Sequence, residues 1–215
     1  MSAGSVVSNK SVVSDKSALP KSLVLVGAGK MGGAMARRLG RAGHSCVGFA
    51  RSFADSPDTR EAFVKGVAGA TAADSIADVV RRLEARPRVV WLMLPAGEVT
   101  ESAVTELATL LDAGDIVIDG GNSFYKDDIR RAKTLAERGI DYVDCGTSGG
   151  VWGDQRGYCM MIGGPKPAVE HLDPIFSALA PGIGDTPRTP GREKGVARSE
   201  QGYISMLVRP ARDIS

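Results

Sequence analysis

The sequence predicts an α/β fold, a doubly wound and mostly parallel sheet. Three observations carry that prediction. Short apolar runs, most of them rich in β-branched residues, alternate with longer segments of helical periodicity from Leu23 onward, a glycine-rich turn directly follows the first run, and glycines stand where helical segments stop. LVLV (Leu23 to Val26), CVGF (Cys46 to Phe49), VVWLML (Val89 to Leu94), IVID (Ile116 to Asp119) and YVDC (Tyr142 to Cys145) read as strands. Between them, KMGGAMARRLGRAG, a stretch around Thr71 to Glu84, EVTESAVTELATLL and YKDDIRRAKTLAERG set apolar residues three and four apart, as helices with one buried face do. Gly43, Gly114 and Gly139 supply the stops. A last helix is expected in PKPAVEHLDPIFSALA, with Pro165 or Pro167 near its start.

Composition bounds the rest. With 215 residues, 43% hydrophobic and 24% charged, the chain is long enough for one domain with a real core, expected over residues 21–181. Residues 1–20 are Ser-rich and expected to be disordered, and residues 182–215, dense in Pro, Gly and charge, are expected to be irregular. Lys and Arg number 27 against 25 acids, a net charge of +2, which argues for neither nucleic acid nor an anionic membrane as partner. No apolar run nears the roughly 20 residues that span a bilayer, and no secretory signal opens the chain, so a cytoplasmic location is expected. Cys46, Cys145 and Cys159 lack any metal-ligand spacing and read as buried free thiols, with no metal site.

The first turn is GAGKMG, Gly27-Ala28-Gly29-Lys30-Met31-Gly32. Placed after a strand and opening a helix, this GxGxxG reads as a Rossmann-type dinucleotide loop. Gly27 permits the tight turn, Gly29 lets backbone approach a pyrophosphate, and Gly32 lets the helix pack closely. An acid at the end of the second strand would bind a ribose 2′-hydroxyl and repel a 2′-phosphate. Here Ala50 stands in that place, followed by Arg51 and Ser52, so NADP is favoured over NAD.

DGGNS (Asp119 to Ser123), GTSGG (Gly146 to Gly150) and GYCMMIGG (Gly157 to Gly164), together with the glycine loop, closely resemble decarboxylating 6-phosphogluconate dehydrogenase over roughly Leu23 to Tyr203. The resemblance implies NADP-linked oxidation of 6-phosphogluconate, or a related sugar acid, at C3, followed by loss of carbon dioxide to give ribulose 5-phosphate. It implies that Asn122 contacts both cofactor and substrate, and that Ser148, Gly149 and Gly150 form the substrate loop. It also places backbone contacts to the cofactor at Leu94, Pro95 and Ala96. The residues alone leave Asn122 open as a turn residue closing its loop by its own side chain, and Ser148-Gly149-Gly150 as a plain turn.

The family's lysine base and glutamate acid lie in an HFxKMxHNGIEY-like helix, and its phosphate site in an all-helical C-terminal domain. After Tyr203 this sequence instead reads ISMLVRPARDIS. No catalytic residue of the family is therefore expected in the chain, which reads as truncated and inactive alone, without the helical domain that forms the family's homodimer. A non-catalytic NADP-binding module and another β-hydroxyacid dehydrogenase are the alternatives. His44 and His171 read as surface or capping residues, and Trp91 as a buried strand residue. Trp152 reads as a loop residue beside the substrate turn, and Arg37-Arg38, Arg81-Arg82 and Arg130-Arg131 as solvated helix faces.

Overall fold

The computed structural model describes residues 22–184, Gly191 and residues 197–207. β1 (Ser22–Val26) turns into α1 (Lys30–Arg41), and β2 (Ser45–Phe49) into two short helices, α2 (Ser52–Asp55) and α3 (Pro57–Gly66). Next come β3 (Thr71–Ala72), α4 (Ile76–Arg81), β4 (Val89–Leu92), α5 (Glu98–Leu110), β5 (Ile116–Asp119), α6 (Tyr125–Ala136) and β6 (Asp141–Ser148). A 3-10 turn (Gly150–Trp152), α7 (Gly153–Arg156), β7 (Cys159–Gly164), α8 (Lys166–His171) and α9 (Asp173–Leu179) follow. A further 3-10 turn (Arg198–Gln201) then leads into β8 (Tyr203–Leu207).

The strands form one sheet in the order β3-β2-β1-β4-β5-β6-β7-β8. Pairing is parallel from β3 to β6, antiparallel between β6 and β7, and parallel again between β7 and β8. The expected doubly wound, mostly parallel α/β sheet is thus the fold of this chain. Parallel strands covered on both faces must be apolar on both, and the sequence obeys that rule. Leu23, Leu25, Trp91, Ile118 and Val143 share one core with Met35 and Leu39 of α1 and Phe176 of α9. Val24, Leu92, Val117 and Tyr142 point the other way, into a second core with Val79 of α4, Leu107 of α5 and Leu135 of α6. Trp91 meets Phe176 edge to face at 5.9 Å between ring centroids, tying the sheet centre to α9.

Several expectations need correction. The tail from residue 182 is not irregular throughout: β8 lies within it. Met160, Met161 and Ile162 of β7 align with Tyr203, Ile204 and Ser205, and that pairing outweighs the local Pro and Gly density. Tyr203 is buried, while Met161, Ile204 and Met206 stay exposed on the face of β7 and β8 away from α9. The last helix is two, because Pro174 lacks the N–H that a continuous helix needs and so starts α9 instead. The stretch from Thr71 opens as the two-residue β3 before α4 begins. Cys46 and Cys145 are buried, but Cys159 is exposed. His44 is buried, not superficial. The Ser-rich segment 1–20 lies outside the described residues. Among the described residues, no helix is long and apolar enough to cross a membrane.

Candidate dinucleotide and substrate site

Register sets Phe49, Val26, Leu92, Asp119 and Asp144 in one row across β2, β1, β4, β5 and β6. Every site residue expected from sequence lies past this row, at the carboxyl edge where open parallel sheets receive ligands.

The glycine turn is built by contacts that exclude side chains. Gly27 adopts φ +95°, a left-handed conformation that favours glycine, and a Cβ there would collide with the Met93 carbonyl. Its N–H and that of Ala28 both donate to the Phe49 carbonyl, at 2.8 and 3.0 Å, so the turn is pinned to the end of β2. A Cβ on Gly32 would strike the Gly27 carbonyl oxygen, so only glycine lets α1 start this close to the turn. At Gly29 a Cβ meets nothing within 4 Å, and the residue is exposed. Lys30 is exposed and Met31 half-buried beside it, while Ala28 is buried.

Among the described residues no side chain caps the start of α1, and no acid sits in its first turn. Its leading N–H groups and the positive end of its dipole are therefore not taken up by a cap, a fit for a phosphate pair. At the end of β2, Ala50 is buried while Arg51 and Ser52 are exposed, and the Arg51 guanidinium has no partner among the described residues. A second phosphate on the ribose would find that charge two residues from the carbonyl that holds the turn.

The next loops close against one another. Met93 N–H donates to the Val26 carbonyl at 2.8 Å, and Gly120 N–H to the Leu92 carbonyl at 2.9 Å. A Cβ on Gly121 would stand 2.7 Å from the Leu94 carbonyl oxygen, so the loop bearing Asn122 abuts the one bearing Leu94, Pro95 and Ala96. Thr100 Oγ1 donates to the Pro95 carbonyl at 2.8 Å, anchoring that second loop to α5. Asn122 is exposed and does not close its own loop. Asp119 does so, with Oδ1 accepting from Gly121 N–H at 2.9 Å and Oδ2 from Ser123 Oγ at 2.8 Å.

The Asp119 carboxylate is itself buried and must be satisfied. Arg131, whose side chain is 1% exposed, donates to it at 3.2 Å, and the Tyr142 hydroxyl lies 3.0 Å away. Arg131 also reaches Ser123 Oγ at 3.1 Å and Glu101 at 3.1 Å. Hydrogen bonds from Arg130, then from Arg131, hold the Glu101 carboxyl down to about 2, against the opposing effect of burial. Asp128 is pushed above the usual carboxylate range, chiefly by burial, and its Oδ1 lies 2.8 Å from the Tyr142 hydroxyl.

β6 runs four residues past the row to Ser148, roughly 13 Å at strand rise, and Gly149 and Gly150 follow with φ +155° and +51°. A Cβ on Gly149 would meet the Tyr158 ring at 2.8 Å. The segment then folds onto α1, where Asp154 accepts from Arg37 at 2.7 Å and Arg41 at 2.5 Å. Ser148 lines a groove of about 510 Å³ with Thr147, Cys159, Met161, Tyr203 and Ile204. Asn122 does not line that groove.

With this geometry in view, comparison with known proteins is decisive at family level. The profile described as the NAD binding domain of 6-phosphogluconate dehydrogenase matches residues 22–186. The chain belongs to that family. A decarboxylating, NAD(+)-dependent 6-phosphogluconate dehydrogenase of Haloferax volcanii is 40% identical over 163 residues, covering 74% of this chain and 50% of that one. The mouse (Mus musculus) decarboxylating enzyme is 36% identical over 162 residues, covering 75% of this chain and 33% of its own. The chain thus spans half or less of the length of these relatives.

Among solved structures, the 6-phosphogluconate dehydrogenase of Plasmodium falciparum superposes with a TM-score of 0.70 at 25% identity, over 77% of this chain and 35% of that one. Its structures are described as apo, with cofactor NADP+ and with substrate 6-phosphogluconate. A 3-hydroxyisobutyrate dehydrogenase from Mycobacterium tuberculosis, TM-score 0.68 at 20% identity and covering 88% of this chain and 55% of that one, shares the fold.

Within this domain, Asp119 and Tyr142 hold the loop after β5, and Asp154 ties α7 to α1, contacts that the sequence does not single out. A signal for Asp119 exists: an acid closing a buried apolar strand needs partners. Arg131, expected as half of a solvated pair, is instead buried against three carboxylates. Trp152 is 61% exposed, its ring capped by the Arg156 guanidinium at 5.7 Å.

Proposed function

We propose that this chain binds NADP across the carboxyl edge of its sheet and presents Asn122 and the Ser148-Gly149-Gly150 loop to 6-phosphogluconate or a closely related sugar acid. The observation that carries the reading is the conjunction at one edge of an α1 amino end and an Arg51 guanidinium that, among the described residues, have no side-chain cap and no partner, open Gly29, and the DGGNS loop abutting the β4 loop.

Each residue has a definite task in this reading. The first-turn N–H groups of α1 and the backbone of Gly29 receive the pyrophosphate, and Arg51 with Ser52 receives the 2′-phosphate. Leu94, Pro95 and Ala96 support the nicotinamide ribose through backbone. Asn122 orients the ring and the substrate, and Ser148 with the N–H groups after it holds the sugar acid's oxygens. Bound NADP supplies a hydride acceptor.

Oxidation of a secondary alcohol and protonation of the enediol left by decarboxylation need a base and an acid, and no residue of the chain is assigned either task.

Titration with NADP, NAD and 6-phosphogluconate, beside an assay of NADPH formation, tests the reading. NADP binding tighter than NAD supports it, and NAD binding as tight or tighter overturns the cofactor assignment. Replacing Ser148 with Ala is expected to weaken sugar-acid binding and leave NADP binding unchanged; equal loss of both assigns Ser148 to folding.

A further inference from the structure

We infer that Asp119 is a positioning residue that aims Asn122 at the nicotinamide half of the cofactor, an inference that rests on the cofactor reading above. The two oxygens of one carboxylate hold both neighbours of Asn122: Oδ1 accepts from Gly121 N–H at 2.9 Å and Oδ2 from Ser123 Oγ at 2.8 Å. Asn122 stands between two tethered residues with its own amide exposed. Gly121 in turn has no room to retreat, because the Leu94 carbonyl lies 2.7 Å from where its Cβ would be.

The carboxylate cannot swing either. Arg131 Nη1 and the Tyr142 hydroxyl fix it from behind at 3.2 and 3.0 Å, and Asp119 is 1% exposed. Arg131 is shared with Ser123 and Glu101, so the loop, α5 and α6 are braced through one guanidinium. A buried ionic cluster is a costly way to stabilise a fold, and replacing such clusters with apolar residues is often neutral or better. What this cluster does that apolar packing cannot is fix the direction of one exposed side chain at the ligand edge.

Ser123→Ala tests this, since Ser123 is only partly buried and its loss removes one jaw of the clamp without leaving a buried charge unpaired. Two probes separate the halves of the cofactor: NADPH, whose nicotinamide fluorescence reports ring contact, and adenosine 2′,5′-bisphosphate, which lacks the nicotinamide. Expected are about tenfold weaker NADPH binding, the loss of roughly one hydrogen bond's worth of alignment, and reduced enhancement of NADPH fluorescence, with bisphosphate binding unchanged. Ser123→Thr, which keeps the hydroxyl, is expected to restore both readouts. Tyr142→Phe, loosening the carboxylate from behind, is expected to act in the same direction as Ser123→Ala.

If Ser123→Ala binds NADPH as the wild type does, or loses both ligands equally, the positioning role is wrong and the cluster is structural. If the wild-type chain binds neither ligand, the cofactor reading itself fails and takes this inference with it.

Discussion

Gly29→Ala separates binding from folding at the first turn. Gly29 has φ −73° and ψ −154°, an extended conformation open to any residue, and a Cβ there meets nothing within 4 Å. The folded chain accommodates the methyl, and stability stays level or rises by about 0.4–1 kcal/mol as the unfolded chain loses freedom. The same methyl fills the space through which backbone approaches a pyrophosphate. Forcing phosphate away from one charge-assisted N–H bond costs about 1.5–3 kcal/mol, a loss of roughly 10- to 100-fold in affinity.

Gly32→Ala is the control with the opposite logic. Its Cβ would lie closer than 3.0 Å to the Gly27 carbonyl oxygen, a backbone atom that cannot rotate aside. The whole of α1 must then shift, at about 1–3 kcal/mol, and binding falls along with stability. The assay is NADPH titration beside thermal denaturation of both variants. Wild-type NADPH affinity in Gly29→Ala would show that no phosphate lies against this turn.

Three further outcomes are expected. Arg51→Glu weakens NADP binding by at least about tenfold and leaves NAD binding level or improved, because it removes a phosphate partner and supplies an acceptor for a ribose hydroxyl; parallel loss of both in titrations refutes the role given to Arg51. Arg131→Met leaves the Asp119 carboxylate buried without its cation at about 3–5 kcal/mol, and each kcal/mol lowers the melting point of a domain this size by about 2–4 °C; a thermal melt within a degree of wild type contradicts the brace. Glu101 contributes pH-dependent stability with a defined sign. Its folded-state pKa lies below its unfolded one, so its stabilisation is complete above the ordinary carboxylate value near 4.5 and is lost as pH falls toward about 2. Glu101→Gln is expected to flatten that stretch of the stability curve measured by denaturant titration.

β1, β2, β4, β5 and β6 are legible because each is a short apolar run with glycine or a helical period beyond it, and because the turn after β1 carries its glycines in a spacing that suits a phosphate loop. β7 hides inside a glycine-bounded motif, since CMMIGG has one β-branched residue and ends in two glycines. β8 hides in a stretch that looks like tail, because a strand of five residues draws its stability from its neighbour, and composition around it points elsewhere. The helices α2 and α3 between Ser52 and Gly66 escape for a related reason: each buries a single large side chain, Phe53 or Phe63, which leaves too faint a period to see. The site divides the same way. Backbone roles follow from glycine spacing, whereas the Asp119 clamp joins residues from β5, α6 and β6 that only the folded topology assembles.

β8 is the outermost strand of the sheet among the described residues, and its exposed Ile204 and Met206 lie alongside Met161. A border of that kind carries unpaired peptide groups beside greasy thioethers and invites a neighbouring molecule to add its own strand. Purified material is expected to self-associate as it is concentrated, and Met206→Lys, which sets a charge at that margin, is expected to keep it dispersed; light scattering across a concentration series checks both.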